Sequence, residues 1–224
     1  MNEMINFTDV RLFYTKTGTA KYISHLDVMR AFQRALKRSK IDFWYTEGFH
    51  PHLYLTFALP LSLGYESMVE SVDFRLVNLL PYEEIVNRIN AVLPMGFEAI
   101  SAGKPKMDAK QIRYADYKIS FLANDDQNAV KKAWCDCFLR KSVLVTKKTK
   151  HGESELDLKP HISLSELQEK EGLFCFSARL AAGVELTINP ELLFSAFREY
   201  SGMELEDISV TRTAVYNENM EKFC

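Results

Sequence analysis

Metal-binding cysteine motifs and long apolar runs are both missing from this sequence. Its four cysteines, at positions 135, 137, 175 and 224, form neither a Cys-x-x-Cys pair nor a three-cysteine cluster motif. They cannot hold an iron–sulfur cluster by themselves, and we interpret them as reduced packing thiols. We therefore expect this chain to bind no metal and no cofactor.

A membrane span and a signal peptide are also missing. No stretch approaches the roughly 18 uninterrupted apolar residues that a membrane helix needs. The first ten residues lack the basic flank, apolar core and small-residue cleavage site of a secretory signal. We therefore predict a cytoplasmic protein with no membrane contact.

Strong net charge is the third absence. Hydrophobic residues make up 47% of the 224 residues, charged residues make up 26%, and the net charge is −2. This balance is typical of a globular chain and gives no general attraction to nucleic acid, and we do not expect DNA as a partner. However, the stretch from Arg11 to His52 contains eight lysines and arginines and only three aspartates and glutamates. Its net charge is therefore +5, and that of the remaining residues is −7. The uneven distribution predicts a local anion-binding face.

The first half of the chain has six predicted elements in the order β-α-β-β-α-β. An extended strand from Val10 to Ser24, kinked at Gly18, precedes a helix that starts at a capping box of Ser24 and Asp27 and ends near Lys40. Strands follow at 43–46 with 53–60 and at 69–77, then a helix after Pro81, then a short strand at 96–103.

The second half repeats this order, with strands predicted at 114–123, 142–150, 172–181 and 208–216 and helices at 126–141 and 189–202. Two copies of a split β-α-β pattern predict an α+β protein with two tandem ferredoxin-like (βαββαβ) domains. Each would have an antiparallel sheet with its helices on one face. We place the first domain at 1–103, the second at 114–224, and a linker at 104–113, where glycine, proline and charges replace the apolar period.

The first predicted helix separates an apolar side from a basic side. Val28, Met29, Phe32, Ala35 and Leu36 share the face that would pack on a sheet. The opposite side carries cations three or four residues apart, namely Arg30, Arg34, Lys37 and Arg38, with Lys21 just before the helix. Arginine forks suit phosphate, so this side predicts nucleic-acid binding, although a merely solvated face has the same pattern.

The next segment is a loop rich in aromatics and histidine. It contains Gly48, Phe49, His50, Pro51 and His52. The glycine suits a turn with positive φ, and the proline fixes the bend. A second turn follows at Gly64, whose backbone amides are candidates for an anion contact.

Three roles remain open for the histidines of this region. They can make structural or ligand contacts, or His52, His25 and Tyr45 can supply general acid–base catalysis of RNA cleavage. His25, His50 and His52 can also converge as zinc ligands if the loop folds toward the helix. In the second half, Lys147, Lys148, Lys150 and His151 form a further basic segment, with Lys159 and His161 just beyond it.

Three motifs, KYISHLDVMRAFQRALKRS, YTEGFHPH and LTFALPLSLGYES, resemble the bacterial radical-SAM-linked protein family that carries domain of unknown function 2344 (DUF2344). LDLKPHI, at 156–162, resembles a further stretch of that family. The loop departs from the family pattern Gly-Phe-Asn-Pro-His-Pro-basic at His50, Leu53 and Tyr54, which disfavours an essential role for His50. The resemblance implies an accessory chain that works with a radical S-adenosylmethionine enzyme.

Three functional hypotheses follow. The first is a non-catalytic RNA-binding or substrate-presenting accessory protein for RNA modification or maturation, with RNA and a radical-SAM enzyme as partners. The second is a metal-independent endoribonuclease centred on His52, in line with a loose topological likeness to the repeat-associated RNA endonucleases of CRISPR systems. The third is a protein–protein adaptor that exposes part of the apolar segment at 55–63.

Overall fold

A computed structural model describes residues 7–149 and 152–224, without the side chains of residues 148 and 149. The chain is of the mixed α+β class, with four α-helices and antiparallel strand pairing in the described ranges. It divides into two compact units. The first unit extends to Ala109 and includes Cys224, whereas the second covers Lys110–Phe223. The division falls inside the segment that we predicted as a linker.

The first unit contains strands β1 (Thr8–Lys16), β2 (Leu55–Phe57), β3 (Glu66–Leu76) and β4 (Phe97–Gly103), with helices α1 (His25–Arg38) and α2 (Tyr82–Asn90). Its strand order is β4-β1-β3-β2, and every pair is antiparallel. The predicted first strand was too long. It ends at Lys16, and the next residues form a 3₁₀-helix, Gly18–Tyr22, because Gly18 adopts a positive φ of 59°.

One apolar core holds both helices of the first unit on one face of its sheet. Val28, Phe32 and Leu36 of α1 pack with Ile85 and Ile89 of α2 in this core. From the sheet come alternate residues of the two central strands, namely Val10, Leu12, Tyr14, Val72, Phe74 and Leu76. The apolar side predicted for the first helix is therefore its packed side, with Met29 half-buried at the margin.

The second unit contains strands β5 (Ile112–Leu122), β6 (Leu144–Thr149), β7 (Gly152–Asp157), β8 (Ile162–Leu164), β9 (Gln168–Lys170), β10 (Leu173–Ala181) and β11 (Glu206–Asn217). Its helices are α3 (Gln127–Phe138) and α4 (Glu191–Ser201). The main sheet has the order β11-β5-β10-β8, and β9 also pairs with β10.

The strand predicted at 142–150 is not part of this sheet. It appears as β6, which pairs with β7 in a separate two-stranded hairpin, whereas the short strands β8 and β9 occupy the edge beside β10. The reason lies in its side chains, because those buried in the described part of this segment are Val143 and Val145, and β6 contacts α4. A strand with so few apolar residues buries them against one helix without needing a place in the sheet.

Candidate nucleic-acid interface

Helix α1 presents its cations on the side opposite the core. Four of these cations are exposed, namely Arg30, Arg34, Lys37 and Arg38. Arg34 lies four residues from Arg30 and from Arg38 and three from Lys37, so all four side chains share one side of the helix. Helix geometry spaces Arg30, Arg34 and Arg38 about 6 Å apart along the axis. We call these four residues the basic stripe.

Two members of the basic stripe have partners within the chain. The Arg30 guanidinium lies 3.1 Å from a carboxylate oxygen of Asp27, with both side chains more than half exposed. The Arg38 guanidinium donates to the carbonyl oxygen of Val92 at 3.0 Å, which fixes it beside the end of α2. Asp27 is itself held by Ser24, and both contacts lower the pKa of Asp27, with the Ser24 hydrogen bond the larger cause. It therefore carries its negative charge at neutral pH.

The other two members make no close contact with a carboxylate. Neither the Arg34 nor the Lys37 side chain makes a hydrogen bond or ion pair in the described parts of the chain, although the charge of Arg34 also helps to lower the pKa of Asp27. The cations nearest to Arg34 on the helix are Arg30, Lys37 and Arg38, three or four positions away, and like charges at this spacing repel. An anion bound at this position would relieve the repulsion.

The turn around Gly64 does not offer its amide to an anion. Gly64 has a positive φ of 86°, and its N–H donates to the carbonyl oxygen of Lys21 at 2.8 Å. This hydrogen bond ties the turn to the 3₁₀-helix. Lys21 itself lies with its ammonium 5.3 Å from the ring centroid of Tyr22, which is largely exposed.

The histidine loop is closed at its base and exposed at its tip. Tyr45 forms an antiparallel bridge with Leu53, and the Thr46 N–H donates to the carbonyl oxygen of His52 at 2.8 Å. Gly48, Phe49, His50 and Pro51 make up the tip, where Phe49 is fully exposed and Gly48 adopts a φ of 128°. The loop is thus a short projection with an aromatic ring at its end.

His52 has a fixed orientation within this loop. Its Nδ1 lies 2.9 Å from the Thr46 hydroxyl and 3.2 Å from the carbonyl oxygen of His50. These two contacts hold the imidazole ring at the base of the loop, with Nδ1 engaged. Tyr45, the other loop candidate for catalysis, is also partly exposed.

His25 has a different environment from the loop histidines. It is the first residue of α1, and its ring packs edge-on against Phe57 with the centroids 5.3 Å apart. Burial lowers the pKa of His25, partly offset by the charge of Glu70. Within residues 7–149 and 152–224, no group of three or more metal-ligating side chains is found, so the described histidines do not converge as zinc ligands.

An aromatic cage that the sequence did not predict fixes the base of the loop. The Arg75 guanidinium lies 4.0 Å from the ring of Phe7, 5.1 Å from that of Trp44 and 4.2 Å from that of Tyr54, and it pairs with Asp9 at 2.9 Å. Each such contact contributes about 0.5–1 kcal/mol at a partly exposed site. The three aromatic residues lie between 21 and 68 positions from Arg75 in the sequence, so their convergence depends on the strand register.

The basic segment of the second unit is only partly described. Lys150 and His151 lie outside the described residues, as does the side chain of Lys148. Two described lysines are engaged with main-chain oxygens. The ammonium of Lys147 lies 3.2 Å from the carbonyl oxygen of Thr187, and that of Lys159 lies 2.6 Å from the carbonyl oxygen of Phe138. Lys159 therefore stabilises the C-terminal end of α3.

Comparison with known proteins identifies the family of this chain but does not indicate an activity. No curated protein matches this chain. Among solved structures, it is similar to an unknown protein from Galdieria sulphuraria, with 12% sequence identity, a TM-score of 0.29, and coverage of 92% of this chain and 99% of that one. The similarity is too low to support an argument. The family model DUF2344, described as an uncharacterised protein conserved in bacteria, matches residues 10–190. Because the match covers most of the sequence, the chain belongs to the DUF2344 family.

Proposed function

We propose that this chain is a non-catalytic RNA-binding accessory protein that acts with a radical S-adenosylmethionine enzyme in RNA modification or maturation. The observation that carries the proposal is the pair Arg34 and Lys37, two exposed cations on one helix side whose side chains make no hydrogen bond or ion pair in the described chain. Phosphates would take the place of the missing carboxylates. The radical-SAM partnership rests on the family resemblance.

The arrangement of strands supports a ferredoxin-like interpretation of both units. Each has its helices after the first and third strands of the main sheet, and the orders β4-β1-β3-β2 and β11-β5-β10-β8 correspond strand for strand. On this interpretation the β6–β7 hairpin is an insertion in the second unit. In both units, the helix that follows the first strand leaves one side to solvent.

The basic stripe can be tested by charge reversal. We expect Arg34→Glu/Lys37→Glu to weaken binding to total bacterial tRNA and to flatten its dependence on salt. Losing two phosphate contacts lowers the slope of log K against log salt by about 1.4 to 1.8. A glutamate at position 34 lies one turn from Arg30 and Arg38, so the helix should remain folded.

The matched control is Lys132→Glu/Lys222→Glu, which alters the net charge equally at two exposed lysines of the second unit. Binding of tRNA should be measured for both variants from 50 to 300 mM salt. Equal weakening by the two double variants would contradict a localised site. No tRNA binding by the unmodified chain at low salt would remove the RNA part of the proposal.

The enzyme partner needs a separate test. We expect the tagged chain to co-purify a radical-SAM enzyme from its native host, also after nuclease treatment if the contact is between proteins. The Arg34→Glu/Lys37→Glu variant should retain that enzyme while it loses RNA. A tagged chain that recovers RNA without any such enzyme would contradict the partnership.

The fixed orientation of His52 favours a second candidate function, metal-independent RNA cleavage. Its side chain is exposed and is held through Nδ1, which leaves Nε2 accessible to a ribose 2′-hydroxyl whose proton a general base would remove. If this candidate is right, RNA is cleaved in the presence of chelator and His52→Ala abolishes the cleavage. His50→Ala is the matched control, since it keeps the carbonyl that His52 contacts. Intact RNA under a large excess of protein would contradict this candidate.

A further inference from the structure

The outer face of the second unit's sheet carries a lysine among hydroxyl groups. Tyr117, Ile119 and Phe121 of β5 are buried, so the alternate residues Lys118 and Ser120 lie on the other face. Lys118 pairs with Ser177 of β10 on one side and with Thr211 of β11 on the other. Directly opposed residues of adjacent strands have Cβ atoms about 5 Å apart. The three side chains therefore form one row across the sheet.

A second hydroxyl row lies beside the first. Ser120 pairs with Ser209 of β11 and with Cys175 of β10. These residues line a concavity of about 460 Å³ together with Ser165 and Gln168. A neighbouring concavity of about 330 Å³ shares Lys118, Ser165 and Ser177 with it, so the two form one groove around Lys118.

Ser165 accepts a hydrogen bond from the Ser177 N–H at 2.9 Å, whereas five other polar side chains of this groove have no partner in the described chain. The Lys118 ammonium makes no hydrogen bond or ion pair there, and neither do the hydroxyls of Ser120, Ser177, Ser209 and Thr211. No aspartate or glutamate lines the larger concavity. The nearest carboxylate in register is Asp116, which holds Arg179 through two hydrogen bonds of 2.7 and 2.8 Å. The groove therefore holds one uncompensated positive charge and several free donors.

We propose that this groove binds a phosphoryl group. The ammonium supplies a compact positive charge, and the four hydroxyls rotate to donate to different phosphate oxygens. A carboxylate offers only two oxygens in one plane and is better matched by an arginine fork, which this groove lacks since Arg179 is engaged. The phosphoryl group can belong to a free nucleotide or metabolite, or to an RNA chain.

Removing the lysine tests the groove independently of the basic stripe. Binding of inorganic phosphate, uridine monophosphate and an oligouridylate of about eight nucleotides should be measured by calorimetry. We expect Lys118→Met to weaken binding by about tenfold or more, as for loss of a hydrogen bond to a charged group. Ser177→Ala/Thr211→Val, which keeps the charge, should weaken it by a smaller factor.

Lys132→Met is the matched control, because Lys132 is an exposed lysine on α3 of the same unit. It should leave the affinity unchanged. The source of the phosphate follows from the probes. Tighter binding of uridine monophosphate than of the oligouridylate indicates a free phosphorylated molecule, and the reverse order indicates RNA. Absence of saturable binding by all three probes, or equal affinity of Lys118→Met and the unmodified chain, would overturn the proposal.

The test of the groove and the test of RNA binding by the basic stripe can fail independently of each other. Loss of tRNA binding in Arg34→Glu/Lys37→Glu reports on the first unit, whereas Lys118→Met changes only the second. If the chain binds uridine monophosphate but not tRNA, the phosphoryl-binding groove is supported and the RNA-binding function is contradicted.

Discussion

The two units carry the same cross-strand ion pair with its polarity reversed. In the first unit Arg11 of β1 faces Asp73 of β3, and in the second Asp116 of β5 faces Arg179 of β10. Both pairs join through two hydrogen bonds of 2.7 and 2.8 Å. The Arg11 side chain is 2% exposed, whereas that of Arg179 is 40% exposed. The same geometry thus occurs in two different surroundings.

The next row of the two sheets differs more. Two residues further along, Phe13 faces Ser71 in the first unit, and Lys118 faces Ser177 in the second. An aromatic ring suits a face that is partly covered, and an unpaired ammonium suits one that meets water or an anion. The ion pair occupies the same register position in each unit, and the row beside it carries an aromatic ring in the first unit and an ammonium group in the second.

The largest expected difference comes from neutralising the acid of each pair. Asp73→Asn leaves a buried guanidinium without its carboxylate and should lower the free energy of unfolding of the first unit by about 3–5 kcal/mol. Asp116→Asn removes a more exposed pair and should cost the second unit less than about 1 kcal/mol. Urea denaturation measures both losses.

Each unit has its own reporter for this experiment. Trp44 lies in the first unit and Trp134 in the second, and they are the two tryptophans of the chain. Fluorescence in a Trp134→Phe background follows the first unit, and a Trp44→Phe background follows the second. Equal losses for the two substitutions would contradict the role assigned to burial.

The caps of the first helix in each unit should give a smaller difference. Ser24 caps α1 through one backbone amide, that of Asp27, at 3.2 Å. Asp126 caps α3 through the amides of Asn128 and Ala129, both at 3.0 Å, and adds a negative charge at the helix start. We expect Ser24→Ala to cost about 1 kcal/mol and Asp126→Ala up to about 2 kcal/mol. The same urea experiment measures both, and a larger loss for Ser24→Ala would reverse the ranking.

The smallest effect concerns pH. The first residue of α1 is His25 and that of α3 is Gln127. Burial lowers the pKa of His25, and Lys16 adds to this while Glu70 opposes it, so the folded chain binds a proton less readily than the unfolded chain. The contribution of His25 to the stability of the folded chain is therefore fully present above about pH 6.5, the ordinary pKa of histidine, and it decreases as the pH falls below that value.

Replacing His25 by the residue found in the other unit tests this assignment. His25→Gln should flatten the dependence of the first unit's stability between pH 7.5 and 5.5, as measured by thermal unfolding. His50→Gln, at the exposed loop tip, is the control and should leave the dependence unchanged. A flattening by the control that equals that of His25→Gln would place the titrating group elsewhere.

Helix α1 could be predicted from the sequence because its signals are local. The Ser24 cap, the apolar spacing of Val28, Phe32 and Leu36, and the exposed cations all follow from residues within four positions of one another. The structure confirms the helix at His25–Arg38, two residues short of the expected end. The alternating strands β3, β5 and β10 were predicted for the same reason.

The features that escaped prediction depend on pairing between distant residues. Arg75 meets Trp44 across 31 positions of sequence, and Lys118 meets Thr211 across 93, so their neighbourhoods appear only once the register is known. The strand at 144–149 was correctly predicted as a strand and wrongly assigned to the main sheet. Its periodicity specifies an extended backbone but does not specify a partner.

A carbonyl oxygen at residue 224 affects the order in which this protein can mature. It accepts hydrogen bonds from Arg11 Nη1 at 2.8 Å and from the amides of Lys106 and Met107 at 3.3 and 3.1 Å. On the ribosome, domains generally fold as units in the order in which they emerge. The first unit, however, cannot close this contact until synthesis has passed through the whole of the second. A nascent chain stalled near residue 109 would therefore hold an incomplete module, exposed to proteases and chaperones until its C-terminal piece arrives.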